Sequence, residues 1–148
     1  MERTVKREVL ERGVIKLSAG ECTFTFEQPR PGLLLVTIIG HDRGELGSST
    51  VDEILLAIGR GGPLELFVDA SRATGVAVTV SDEWTRFFAT NRDRLKRVHI
   101  LVTSEFVHLP ISIAQHLSRT GDLIKIHTDT QRFGQLLHDA VQRKLREG

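Results

Sequence analysis

Apolar residues recur along this chain in two rhythms. Cys22, Phe24 and Phe26 alternate with Thr23 and Thr25, the period of two that sets one face of a β-strand against a core. Leu33 to Ile39 is almost continuously apolar and short, as a more completely buried strand would be. Between them stands Gln28-Pro29-Arg30-Pro31-Gly32, where proline presets a turn dihedral and glycine permits positive φ. The two runs predict an antiparallel hairpin over 22–39. Upstream, residues 1–20 alternate charge with small apolar groups, and only Val14-Ile15-Lys16-Leu17 predicts a short strand.

From His41 the rhythm becomes helical. Thr50-x-x-Glu53 is a capping-box pattern opening a helix with Val51, Ile54, Leu55 and Ile58 on its core side, and Gly59, Gly61 and Gly62 stop it. Leu64 to Val68 is the next strand, and it delivers Asp69 into a loop over 72–80. A helix over about 82–95 follows, with Ser81 as its N-cap and with Trp84, Phe87, Phe88 and Leu95 on one side. Then come a strand over 98–102, a helix over about 109–119 and, after Gly121-Asp122, a strand over 123–127. Thr128-x-x-Gln131 caps a last helix striped by Phe133, Leu136, Leu137, Ala140, Val141 and Leu145.

A helix between each pair of later strands implies parallel neighbours joined by right-handed crossovers. The expected fold is therefore α/β, a mixed and mostly parallel sheet opened by an antiparallel hairpin, with about four helices. No linker or repeat divides residues 1–148, so one domain is expected, its core over about 22–142.

Composition narrows the class. A chain of 148 residues buries roughly 70% of its unfolded surface, and 40% hydrophobic with 26% charged residues is ordinary for a globular protein. A net charge of +1 gives no overall field demanding nucleic acid or an anionic membrane. The charge is uneven, however. Residues 41–69 hold six carboxylates against two arginines, and residues 86–97 hold Arg86, Arg92, Arg94, Lys96 and Arg97 against Asp93. The aromatics beside the basic block fall at helical core spacing, which argues against base stacking and so against nucleic acid. The lone Cys22 makes no internal disulfide, the first residues are charged, and no apolar run reaches membrane-span length. A cytoplasmic protein is expected.

Catalytic patterns are missing. Six histidines are present, but no HExxH, no CxxC and no EF-hand spacing. Cys22, alternating with phenylalanines, reads as a small hydrophobe. Ser71 lacks the glycines of a nucleophile elbow, and Gly59, Gly61 and Gly62 follow a helix instead of leading into one. No catalytic residue, metal site or cofactor is assigned, and the chain is expected not to be an enzyme.

The hairpin, the Leu33–Ile39 strand, the first helix, Leu64-Glu65-Leu66-Phe67-Val68-Asp69, the second helix and Arg97-Val98-His99-Ile100-Leu101-Val102 together resemble a STAS domain, more narrowly the SpoIIAA-like proteins of bacteria. The resemblance spans about 22–142. It implies a non-catalytic regulatory module, an anti-sigma-factor-antagonist-like binder of a protein partner of the anti-sigma-factor or kinase kind, compatible with a homodimer. Regulatory members are phosphorylated on Ser or Thr where the helix after the third strand begins, within an Asp-Ser-Ser-Gly-like stretch. Here that region reads Ala73-Thr74-Gly75-Val76-Ala77-Val78-Thr79-Val80-Ser81-Asp82, without the motif, and Thr79 and Ser81 are its nearest hydroxyls. The partner-facing residues implied are Asp69, Ser71, Arg72, Thr74, Thr79 and Ser81. The other reading is a domain that binds or senses a small apolar, lipid-like ligand under the 72–80 loop.

Overall fold

The computed structural model describes residues 5–105, 107, 111 and 123–147. Seven strands form one sheet in chain order: β1 (Lys6–Val9), β2 (Ile15–Ala19), β3 (Cys22–Arg30), β4 (Leu33–Asp42), β5 (Leu64–Val76), β6 (Leu95–Val102) and β7 (Ile124–His127). β1 to β4 run antiparallel to one another in succession, whereas β5 joins β4, β6 joins β5 and β7 joins β6 in parallel. The hairpin over 22–39 and the parallel set at 64–68, 98–102 and 123–127 are thus as the two rhythms predicted. The described helices are α1 (Ser49–Gly61), α2 (Val78–Thr90) and α3 (Thr130–Glu147). Of the helix expected over 109–119, only Ile111 is among the described residues.

Strand alternation divides the core into two layers. Leu34, Val36, Leu66, Val68, Val98 and Ile100 face α1 and α2, meeting Ile54, Ile58, Phe87 and Phe88. Leu33, Phe67 and Leu101 face the other way, onto Phe133 and Ala140 of α3. Each large apolar side chain removed from water contributes roughly 1.5–3 kcal/mol. Cys22 is fully buried in the first layer, and burial pushes its thiol up to about 12, consistent with the small-hydrophobe reading.

Several boundaries depart from the sequence reading. Leu95 opens β6 and does not close the second helix. Thr50 lies inside α1 and is buried, while Ser48 precedes the helix and donates its hydroxyl to Asp52 Oδ2 at 3.2 Å. At α3 the cap is Asp129, not Thr128: its Oδ1 accepts the amides of Gln131 at 3.0 Å and Arg132 at 3.2 Å. A carboxylate there satisfies two amides that the helix leaves open and faces the positive end of the dipole. Asp129→Ala is expected to cost about 1 kcal/mol in denaturant unfolding. Ser81→Ala, expected from sequence to cost the same, should lose no cap, because Ala77 precedes α2 and Ser81 lies within it.

α3 is held by ion pairs as well as by apolar contact. Arg30 donates from Nε to the Ala140 carbonyl at 2.9 Å and pairs through Nη2 with the buried Glu65 at 3.3 Å, and Arg143 reaches the same carboxylate at 3.6 Å. Further along the face, Phe67 stacks on His99 at 4.8 Å and meets Phe133 edge-on at 5.7 Å. Burial, then the neighbouring His127, Lys125 and Arg97, lowers the His99 pKa to about 4. An unfolded chain therefore takes up a proton near pH 6.5 that the folded chain refuses until about pH 4. Stability from this group is present above 6.5 and is lost as pH falls through that window. With solvent screening of a half-buried ring, the expected loss is on the order of 1–2 kcal/mol, and His99→Gln should flatten it in urea titrations at pH 7 and pH 4.5.

Candidate functional site

β5 is the strand that builds the site. Up to Ala70 it is flanked by both β4 and β6, and its last partner on β6 is Val102. Residues 71–76 continue beside β4 through two register shifts, pairing Ile39 with Arg72 and Asp42 with Val76. The loop expected over 72–80 is therefore mostly strand, a correction with a visible cause. Ala73 and Gly75 point inward while Arg72 and Thr74 are exposed, a period-two pattern hidden by the small size of its inner residues. Gly75 is small for a reason: a Cβ there would lie 3.0–3.2 Å from the His41 ring atoms.

Only Ala77 separates β5 from α2. Its amide donates to the Asp42 carbonyl at 2.8 Å, and its own carbonyl accepts the Ser81 amide at 3.0 Å. Thr79 therefore stands exposed in the first turn of α2, close to the backbone of Gly44 in the segment entering α1. Ser81, two residues further along α2, is half-buried, with its carbonyl accepting the Thr85 hydroxyl at 2.8 Å. Asp69 and Ser71 turn toward each other, the Ser71 amide and hydroxyl both donating to Asp69 Oδ1 at 3.0 and 2.6 Å. Thr103 fixes the same corner by donating to the Ser71 carbonyl at 2.8 Å. Of the six residues expected to face a partner, Arg72, Thr74 and Thr79 are exposed, Asp69 and Ser71 organise the backbone, and Ser81 faces inward.

Two acids nearby are more enclosed than their places in a turn and at a helix start suggest. Asp42 is 4% exposed, and burial raises its carboxyl pKa against the pull of a Gly44 amide at 3.1 Å. Glu83, one turn after Thr79, is also raised, by burial first and then by Asp42 and Asp52. Nothing in the local sequence marks Asp42 as buried; only the parallel pairing with the long β5 encloses it. The acidic excess of residues 41–69 is split as well, with Asp42 on this side of the sheet and Glu65 on the α3 side.

Beneath α2 lies an apolar cavity of about 50 Å³, walled by Phe24, Ile38, Val68, Trp84 and Phe88, with Asp42 and Ser81 at its margin. That volume suits one or two waters and is far short of a lipid chain. An open groove between α1 and α2 runs past Ser48, Thr79, Glu83 and Arg86. Among the described residues, Ser71 has a carboxylate and no histidine as its hydroxyl partner, and the His41 ring rests on Gly75. His108 lies outside the described residues. No described helix is long and apolar enough to cross a membrane.

An anti-sigma factor antagonist from Mycobacterium paratuberculosis superposes on this chain with a TM-score of 0.55 at 12% identity, over 79% of this chain and 94% of that one. The fold is STAS-like. A SpoIIAA-like-fold protein from Shewanella loihica aligns at a TM-score of 0.48 and 14% identity, over 91% of this chain and 93% of that one. No family model matches the sequence, and no curated protein does either. In this STAS-like domain the strand β5, its projecting end and the start of α2 form one continuous ridge at the carboxyl edge of the parallel strands, where α/β sheets generally place their contacts.

Proposed function

We propose that the chain acts as a regulatory interaction module that binds a protein partner of the anti-sigma-factor or kinase kind, without turnover, in the cytoplasm and as one domain over residues 1–148. The observation that supports this most is the ridge itself: exposed Arg72 and Thr74, on the end of β5 that runs beyond its pairing with β6, lead directly into exposed Thr79 on α2. Its shape is fixed from behind by the Asp69–Ser71 bonds and by the Asp42 carbonyl. A pre-organised surface of this kind binds with little ordering cost.

Of the two hydroxyls considered for phosphorylation, Thr79 has the accessibility a kinase needs, whereas Ser81 would have to leave its half-buried position. A phosphate on Thr79 gains from the open amides of the first helical turn. It also brings about two negative charges beside Glu83, whose carboxyl is already raised. The modification would thus change the charge of the ridge without a change of fold. Thr79→Asp is expected to weaken partner binding about tenfold or more while shifting stability by less than about 1 kcal/mol. Calorimetric titration of the partner with wild type and variant, each beside a thermal melt, separates the two; equal affinities would remove Thr79 from the surface. The lipid-like alternative would require the cavity beneath α2 to enlarge, and native mass spectrometry of purified protein showing no extra mass would speak against it.

A further inference from the structure

On the opposite face, under α3, β6 and β7 assemble a second cluster that the ridge does not use. His99 Nδ1 and His127 Nε2 lie 2.9 Å apart, so one neutral ring donates its N–H to the other. Phe67 and Phe133 form the apolar shelf behind them. In the parallel register His99 is level with Lys125, and alternation puts Arg97 on the same face two residues earlier. Arg97 and Lys125 act on His99, and Arg132 of α3 and Lys125 act on His127, all opposing a further positive charge. Arg97, Lys125 and Arg132 are exposed.

The carboxylates facing this cluster are already engaged. Glu65 on β5 lies level with Arg97 and favours a proton on His99, but it is also paired with Arg30 and Arg143. Asp69 is in the same cross-sheet row as His127 and accepts from Ser71. Asp129 accepts the first amides of α3. Three cations and two proton-accepting rings therefore converge on one nearby carboxylate, Glu65, that Arg30 and Arg143 already share, although the chain as a whole is nearly neutral at +1. Such a concentration of donors matches a compact dianion: a phosphate offers several acceptor oxygens to cations, and its charge favours a proton on the histidine pair.

We propose that the His99–His127 pair and its rim of Arg97, Lys125 and Arg132 form a binding site for a phosphate-bearing ligand. The first proton taken up keeps the ring–ring hydrogen bond as an imidazolium–imidazole bond, so the site gains charge without losing its geometry. Binding should accordingly tighten as pH falls from 6 to 4, the window in which the pair takes up its proton.

The test is an NMR titration of the imidazole Cε1–H signals of the full chain with inorganic phosphate, against chloride at matched ionic strength. Phosphate is expected to raise the His99 midpoint from about 4 by roughly one unit, with no such shift in chloride. Lys125→Glu and Arg97→Glu should each weaken phosphate binding about tenfold, and Lys125→Gln serves if the reversal disturbs folding. Arg12→Glu, a charge reversal in the β1–β2 turn, should leave binding unchanged. Equal shifts in chloride, or equal weakening by Arg12→Glu and Lys125→Glu, would overturn the site. Co-sedimentation with phosphatidic acid vesicles, abolished by Lys125→Glu, would assign a lipid headgroup as the source; phosphate binding without co-sedimentation would assign a soluble phosphate. These residues are separate from the β5–α2 ridge, so either proposal can fail alone.

Discussion

Gly40→Ala is expected to destabilise the protein by about 3 kcal/mol or more. Gly40 has a φ of +92°, a conformation that L side chains rarely adopt, and a Cβ built there would overlap the Glu21 carbonyl oxygen. Both groups are backbone, so no side chain can swing aside. The β2–β3 turn would have to lift off β4 at the point where β4 changes register with the projecting end of β5. Gly59→Ala is the internal control. It sits in α1 with nothing within 4 Å of its added Cβ, and should stabilise by about 0.5–1 kcal/mol. Urea unfolding of both variants checks the pair; a Gly40→Ala variant within 1 kcal/mol of wild type would contradict the close approach.

Phe67→Ala comes next, at about 3–5 kcal/mol, because it empties the centre of the α3 layer. Phe67 is 1% exposed and touches both His99 and Phe133, so its loss leaves α3 with a cavity beneath its first turns. Two further readouts distinguish local from general damage. The His99 midpoint should climb back toward 6.5, since burial is the main cause of its depression. Emission from the single tryptophan, Trp84, should hold in the native state, because it packs on the other face of the sheet with Phe87 and Phe88. A native spectrum shifted to the red would mean that the two layers are coupled more tightly than their contacts indicate.

The sheet was legible where apolar side chains are large. Phe24, Phe26, Leu66, Val68 and Ile100 announce their strands, and the helices between the later strands fixed a parallel order. β1 was missed because its turn is disguised. Arg12 and Gly13 both have positive φ, a tight hairpin geometry usually marked by Asn-Gly, and arginine gives no such sign. The end of β5 was missed because Ala73 and Gly75 carry too little apolar surface to show a period. At the caps, Thr50, Ser81 and Thr128 had the right chemistry one or more residues from the right place. Whether a hydroxyl or carboxylate meets the open amides depends on the entry angle of the chain, which tertiary contacts decide. The charge block over 86–97 did not lie on one helix either: Arg86 is on α2, while Lys96 and Arg97 belong to β6. His99 and His127 gave no sequence signal as a pair, since 28 residues separate them and only the β6–β7 register joins them.

The central claim is that the projecting end of β5 and the start of α2 form the partner-binding ridge. Its most direct measurement is site-specific photo-crosslinking in cells of the source organism, with the crosslinker placed at Thr74, at Thr79 and, as a distant control, at the exposed Val9 on β1. The expected result is one protein adduct of the same mass from positions 74 and 79, absent from position 9 and lost when Arg72→Glu is added. Adducts of equal yield at Val9, or adducts at 74 and 79 that survive Arg72→Glu undiminished, would contradict it.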